Sequence, residues 1–359
     1  MKDTKEARIT INRGDDMSLL HLIGDEHKII SIVGMRKNSG KTVTLNQLIS
    51  EAMEEGIQIG MTSIGRDGES LDLVTDTEKP RIFAEENTIV ATTTGLLPLG
   101  DAGMEILKVT DFRTPLGDVI IGRVKSPGYI QLAGPQSLRD IRQVCDEMLG
   151  LGAKFVVIDG ALDRKSSAAP TISDATILST GAAISRDINR VIEETLHTVS
   201  LLSLPQVDEE DCCLLEELLE ANRPAVVTRY GEVRDINLET ALGAGHTLAE
   251  SLDDEARYLL IPGSLVRGTL DDLTRSTRAY KDVDIVVADG TKIFIPPREY
   301  LRFQRIGVRI RVLHPIKLIG ITINPYSPQG YYFEPYEFLK KMRGYIKDIP
   351  VLDLMLGGE

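Results

Sequence analysis

The chain has 359 residues, 42% hydrophobic and 26% charged, with a formal net charge of −13. That length allows two compact units or one enlarged α/β domain, and the composition is that of a soluble globular protein. The acidic balance argues against a nucleic-acid backbone as main partner, the lack of Trp against a stacking platform for single strands, and no apolar run reaches membrane-spanning length.

Cys145, the adjacent pair Cys212-Cys213 and five scattered histidines show no ligand spacing, so reduced thiols in a cytoplasmic protein are expected. The acidic, polar segment 1–16 is not read as a signal peptide.

Strand-like and helix-like segments alternate from residue 29 onward. Strands are predicted at 29–33, 58–64, 88–93, 118–124, 155–159 and 175–179, with helices at 43–54, 137–149 and 187–200. Gly150 and Gly152 supply the stop expected after the second helix. The expected fold class is α/β, with a doubly wound, mostly parallel sheet. Pro205 marks a boundary between a first domain over 1–204 and a C-terminal α/β region over 205–359. There the acidic run Asp208-Glu209-Glu210-Asp211 opens a helix, and strands are predicted at 225–229, 258–261, 284–288, 308–313 and 318–323. The pattern leaves open whether this region is a separate domain or continues the first sheet.

The most informative stretch runs from Lys28 to Ile49. An apolar strand stops at Gly34, a polar loop of Met35, Arg36, Lys37, Asn38 and Ser39 follows, and Gly40-Lys41-Thr42-Val43 opens an amphipathic helix. This order suits a phosphate-binding loop: backbone N–H groups from Arg36 to Val43 wrap the phosphates, Lys41 neutralises them and the Thr42 hydroxyl reaches a Mg²⁺ ion. The spacing is not literal, because five residues separate Gly34 from Gly40 where the common pattern has four.

Further along, the run Phe155-Val156-Val157-Ile158-Asp159-Gly160 sets a carboxylate at the end of a buried strand, where Asp159 is expected to contact the metal. Asp67, in Gly65-Arg66-Asp67-Gly68, stands where a second strand exits and is read either as a metal or water ligand or as part of a turn. The segment 163–167 brings Arg164 and Lys165 near the same edge, and 123–129 is read as the end of another strand on that edge. Asn324, ahead of Pro325-Tyr326-Ser327-Pro328, has an amide able to read an adenine edge, or else begins a rigid turn.

The loop ending in Gly-Lys-Thr resembles those of dethiobiotin synthetase and cobyrinic acid amidase, in the branch of P-loop proteins that holds the MinD-like ATPases. Arg36 stands near the place where some of those proteins carry a signature lysine. The runs 158–166 and 173–182, with the Asn-Pro-Tyr-Ser-Pro ending, look more narrowly like the P-loop subunit of lysine 5,6-aminomutase reactivase. That resemblance implies ATP and Mg²⁺ as cofactors and a cobalamin-dependent aminomutase as protein client. It also implies a second reactivase subunit, with a homodimer left open. A rival reading is a dethiobiotin synthetase-like ligase acting on a small carboxylate, with Lys125, Ser126 and Arg164 lining its substrate pocket. A third is a nucleotide-dependent interaction module without turnover.

Overall fold

The apolar run at 29–34 becomes a strand buried at every position, as expected where both faces of a parallel sheet are covered. The computed structural model describes residues 18–65, 82–161, 172–238 and 244–356. Its first part holds α1 (Leu19–Ile23), β1 (Ile29–Gly34), α2 (Lys41–Glu54), β2 (Ile59–Ser63), β3 (Ile82–Ala84), β4 (Ile89–Thr93), β5 (Gly103–Thr114) and β6 (Gly117–Ser126). It continues with β7 (Gly128–Ile130), α3 (Leu138–Gly150), β8 (Phe155–Ala161), β9 (Ala175–Gly181) and α4 (Ile188–Leu202). Then come α5 (Cys212–Glu220), β10 (Ala225–Thr228), β11 (Val233–Asp235), α6 (Gly245–Glu250), β12 (Ala256–Leu260), β13 (Leu265–Val266), α7 (Arg267–Ser276) and β14 (Asp284–Val287). The chain closes with β15 (Ile293–Phe294), α8 (Pro297–Arg305), β16 (Arg309–Val312), β17 (Leu318–Asn324), α9 (Pro335–Tyr345) and β18 (Val351–Asp353).

Nine strands form one sheet in the order β18-β17-β9-β1-β8-β2-β4-β6-β5. The first seven in that order are parallel, and β6 and β5 add an antiparallel hairpin at one edge. Side-chain alternation divides the core between two faces. On one, Ile30 and Ile32 pack with Leu45 and Leu48 of α2 and with Leu19 of α1. On the other, Ile29 joins Ile141 and Val144 of α3, and Val33 joins Val191 of α4 and Phe338 of α9. The protein is therefore α/β, with helices on both faces of a large, mostly parallel sheet.

The sheet order fixes where a site can lie. β8 and β9 flank β1 on opposite sides, so the chain crosses over β1 between them. The crevice beyond the carboxyl end of β1 is the switch point of the sheet, the usual place for a ligand in such folds.

Beyond residue 205 the chain does two things. Residues 225–312 build a second sheet, β11-β10-β12-β14-β16, and β17 and β18 then return to extend the first. Helix α4 joins the two sheets. Its Leu201 belongs to the core of the second sheet, an ideal Cβ on Gly290 would lie 1.9 Å from Leu201 O, and His197 Nε2 lies 2.9 Å from Ile295 O.

One sequence expectation is corrected. Strand β6 runs antiparallel to β4, with Arg123 opposite Ile89. Lys125 and Ser126 consequently sit at the edge opposite the carboxyl end of β1, where Lys125 pairs with Glu105 at 3.0 Å. Among the described residues no helix is long and apolar enough to cross a membrane.

Candidate functional site

The loop from Gly34 to Gly40 folds back over the end of β1. A Cβ on Gly34 would lie 2.5 Å from Ser39 Oγ and 2.7 Å from Lys41 Cγ, so any larger residue there would push the loop away. Left-handed backbone at Asn38 (φ 62°) and Gly40 (φ 101°) makes the turn tight enough. Met35 N donates to Ser179 O at 2.9 Å, and Arg36 Nη1 to Ile184 O at 3.1 Å, tying the loop to the exit of β9.

Gly40 caps α2 with no side-chain hydrogen bond, and helix geometry gives the N–H groups of Lys41, Thr42 and Val43 no intrahelical acceptor. These groups and the positive end of the helix dipole face the crevice, an arrangement that attracts an anion. Ser39 Oγ is buried here without a hydrogen-bond partner. An orphaned hydroxyl inside such a loop has the chemistry to meet a ligand oxygen.

Asp159 stands opposite Ile32 of β1 and Ser63 of β2. Lys41 Nζ lies 3.1 Å from its Oδ1, and Ser63 Oγ donates to its main-chain oxygen at 3.1 Å. Both ends of the ion pair are largely out of water, with side-chain exposures of 18% and 19%. The neighbouring Thr42 is half-buried in the first turn of α2, while Val43 and Lys37 are exposed. Asp67 and the segment 163–167 lie outside the described residues. Among the described residues no group of three or more His, Cys, Asp and Glu side chains is arranged to hold a metal. A carboxylate and a hydroxyl at a phosphate site suit Mg²⁺, which keeps much of its water.

Asn324 reaches the same loop from the far end of the chain. Its Nδ2 donates to Asn38 O at 3.3 Å, its Oδ1 accepts from Tyr326 N at 3.0 Å, and its Cβ packs against Gly40. In this arrangement the amide braces the loop. Gly181, opposite Asn324 in the sheet, is needed for the approach, since a Cβ there would lie 2.2 Å from Asn324 O.

Sequence reasoning missed a buried hydroxyl cluster beneath the loop. Thr44 Oγ1, Ser179 Oγ and Thr322 Oγ1 lie 2.8–3.2 Å from one another, and Thr44 also donates to Gly40 O at 3.2 Å. The signal was Thr322 alone in the apolar run of β17 and the hydroxyls of Ser179 and Thr180 near the end of β9, but only the register that pairs Thr322 with Ser179 shows that they meet. At the same sheet edge burial raises the pKa of Asp353, whose Oδ2 has no hydrogen-bond partner.

A scan against protein-family models and searches of curated proteins and of solved structures returned no match to this chain.

Proposed function

We propose that the chain binds a nucleoside triphosphate with Mg²⁺ at the 34–43 loop and couples its binding or hydrolysis to a change of shape. The Lys41–Asp159 pair at the mouth of a loop drawn tightly over β1 carries this reading. A surface lysine has no need of a carboxylate held at a sheet switch point. A lysine that must neutralise incoming phosphates does need a counter-charge until they arrive. The uncapped helix start and the orphaned Ser39 hydroxyl support the same conclusion.

Thr42 and Asp159 are the residues that would hold Mg²⁺, which when bound neutralises charge on the phosphate oxygens. The chain's own contribution is positional. The N–H groups of the first turn of α2 orient the phosphates, and Lys41 exchanges Asp159 for a phosphate oxygen. Gly34 and Gly40 allow the close backbone approach.

The resemblance noted above favours ATP and a role in reactivating a cobalamin-dependent aminomutase of the lysine 5,6-aminomutase kind, together with a second subunit. Such a role needs an element in contact with both the nucleotide and the rest of the molecule. Helix α4 links the loop to the rest of the molecule: Thr195 Oγ1 lies 3.5 Å from Met35 Sδ of the loop, Leu201 packs in the core of the second sheet, and His197 Nε2 meets Ile295 O at 2.9 Å. The ligase reading loses support, because Lys125 and Ser126 lie at the wrong edge to line a pocket with Lys41.

The test is calorimetric Mg·ATP binding and turnover by the full chain, beside Lys41→Ala. Binding weakened about 100-fold or more, with any turnover abolished, is expected. Equal affinity in the two proteins would sink the site.

A further inference from the structure

We infer that the hairpin 325–333 is the base-binding wall of this site, with Tyr326 and Tyr332 stacking on a purine; the inference rests on the nucleotide reading above. Strand β17 ends at Asn324, which touches Asn38 and Gly40 of the loop. The chain then turns back on itself. Tyr326 and Tyr332 pair as an antiparallel bridge, Ser327 N donates to Tyr331 O at 2.9 Å, Phe333 N donates to Pro325 O at 2.9 Å, and Gly330 takes φ 83° at the turn.

Directly bridged residues present their side chains on one face of a hairpin, and their neighbours point to the other. The inner face is anchored. Tyr331 Oη donates to Ala182 O at 2.7 Å, and the Phe333 ring packs 5.2 Å from that of Phe338 on α9. The outer face carries Tyr326 and Tyr332, with ring centroids 6.0 Å apart and planes 31° from parallel. These rings are 48% and 67% exposed, an aromatic surface left in water on a braced hairpin. The tyrosine face is turned from Phe333 and α9, on a hairpin that leaves Asn324, itself in contact with Asn38 and Gly40 of the loop.

A triphosphate gripped by the start of α2 needs a surface for its base within a few residues of the loop. Tyr326 is two residues from Asn324, at most about 7 Å along the chain. Asn324 uses one amide N–H on Asn38 O and one Oδ1 lone pair on Tyr326 N. The two exposed rings give the base a stacking surface. Stacking itself tolerates either purine and grips the smaller pyrimidine ring more weakly.

The experiment is calorimetric titration of the full chain with Mg·ATP, Mg·GTP, Mg·CTP and Mg·tripolyphosphate, which has no base. The proteins compared are wild type, Tyr326→Ala/Tyr332→Ala and Tyr326→Phe/Tyr332→Phe. The alanine pair is expected to weaken ATP and GTP about tenfold or more, to leave tripolyphosphate within about twofold, and to be rescued by the phenylalanine pair. ATP affinity unchanged in the alanine pair would overturn the base wall while leaving the loop assignment intact. An equal loss of tripolyphosphate would also overturn it, by showing that the hairpin acts on the loop and not on the base. Failure of the wild type to bind either ATP or tripolyphosphate would overturn the nucleotide reading and this inference with it.

Discussion

Lys41 Nζ sits 3.1 Å from Asp159 Oδ1, joining the first turn of α2 to the end of β8 across the switch point of the sheet. Each charge is the other's compensation in a site largely removed from water. Under the proposed function a phosphate and a divalent cation would take over these partners, with the ammonium on phosphate and the carboxylate on the cation.

That exchange predicts the behaviour of Asp159→Asn. Without its carboxylate Lys41 has no competitor for phosphate, so metal-free ATP should bind about tenfold more tightly than to wild type, roughly 1.4 kcal/mol. The gain on adding Mg²⁺ should shrink for the same reason. Titrations with ATP in chelator and in excess Mg²⁺ measure both effects, and a magnesium gain equal to that of wild type would remove Asp159 from the site.

The hydroxyl cluster beneath the loop makes a second prediction. Thr322→Val keeps the shape of the side chain but leaves Ser179 Oγ and Thr44 Oγ1 each short of one partner in a buried setting. The cost should be about 1–3 kcal/mol in urea unfolding. Because Thr44 also bonds Gly40 O, triphosphate affinity should fall several-fold as the loop loosens. An unchanged unfolding midpoint would show that the cluster does not brace the loop.

The course of β1 and β8 was legible because strands buried on both faces read as nearly continuous apolar runs, and because Gly34 and Gly40-Lys41-Thr42 punctuate the first of them. The return of β17 to the first sheet was not legible. An apolar strand carries no label for its neighbour, and β17 pairs with β9 across more than a hundred intervening residues. The hairpin β5–β6 was half seen, since β5 is an edge strand whose mixed exposure and register shifts break the alternation that marks a strand. Its antiparallel sense placed Lys125 at the opposite edge from the one expected. Asn324 was found as the end of a late strand, but its bond to Asn38 depends on that same long-range pairing.

The three thiols should react in a fixed order. Cys145 is fully buried on α3, and burial pushes its pKa up to about 12, so the thiolate needed for attack is scarce. Cys213 is exposed. Cys212 lies between, its pKa raised by burial and by the carboxylates of Glu209, Asp211 and Glu216. Timed alkylation of the native chain with peptide mapping should modify Cys213 first, Cys212 more slowly and Cys145 only on unfolding. Early modification of Cys145 would contradict the packing of α3 on the sheet.

Asp353 closes the edge strand β18 with one carboxylate oxygen accepting from Met355 N at 3.0 Å and the other buried without a partner. Burial raises its pKa above the ordinary 3.8, so the folded chain holds this proton to a higher pH than the unfolded chain does. Between the two pKa values the native state binds more protons, and its stability falls as pH rises through that window and stays lower above it. Asparagine keeps an acceptor for Met355 N and carries no charge to desolvate. Asp353→Asn should therefore stabilise the protein by about 1 kcal/mol near neutral pH, with a gain that shrinks as pH falls toward the ordinary aspartate range. Urea unfolding of both proteins at pH values from about 4 to 8 reads this gap directly. A gap that is constant with pH would mean that Asp353 ionises in the fold as freely as in the unfolded chain, and one that narrows as pH rises would mean that it ionises more freely.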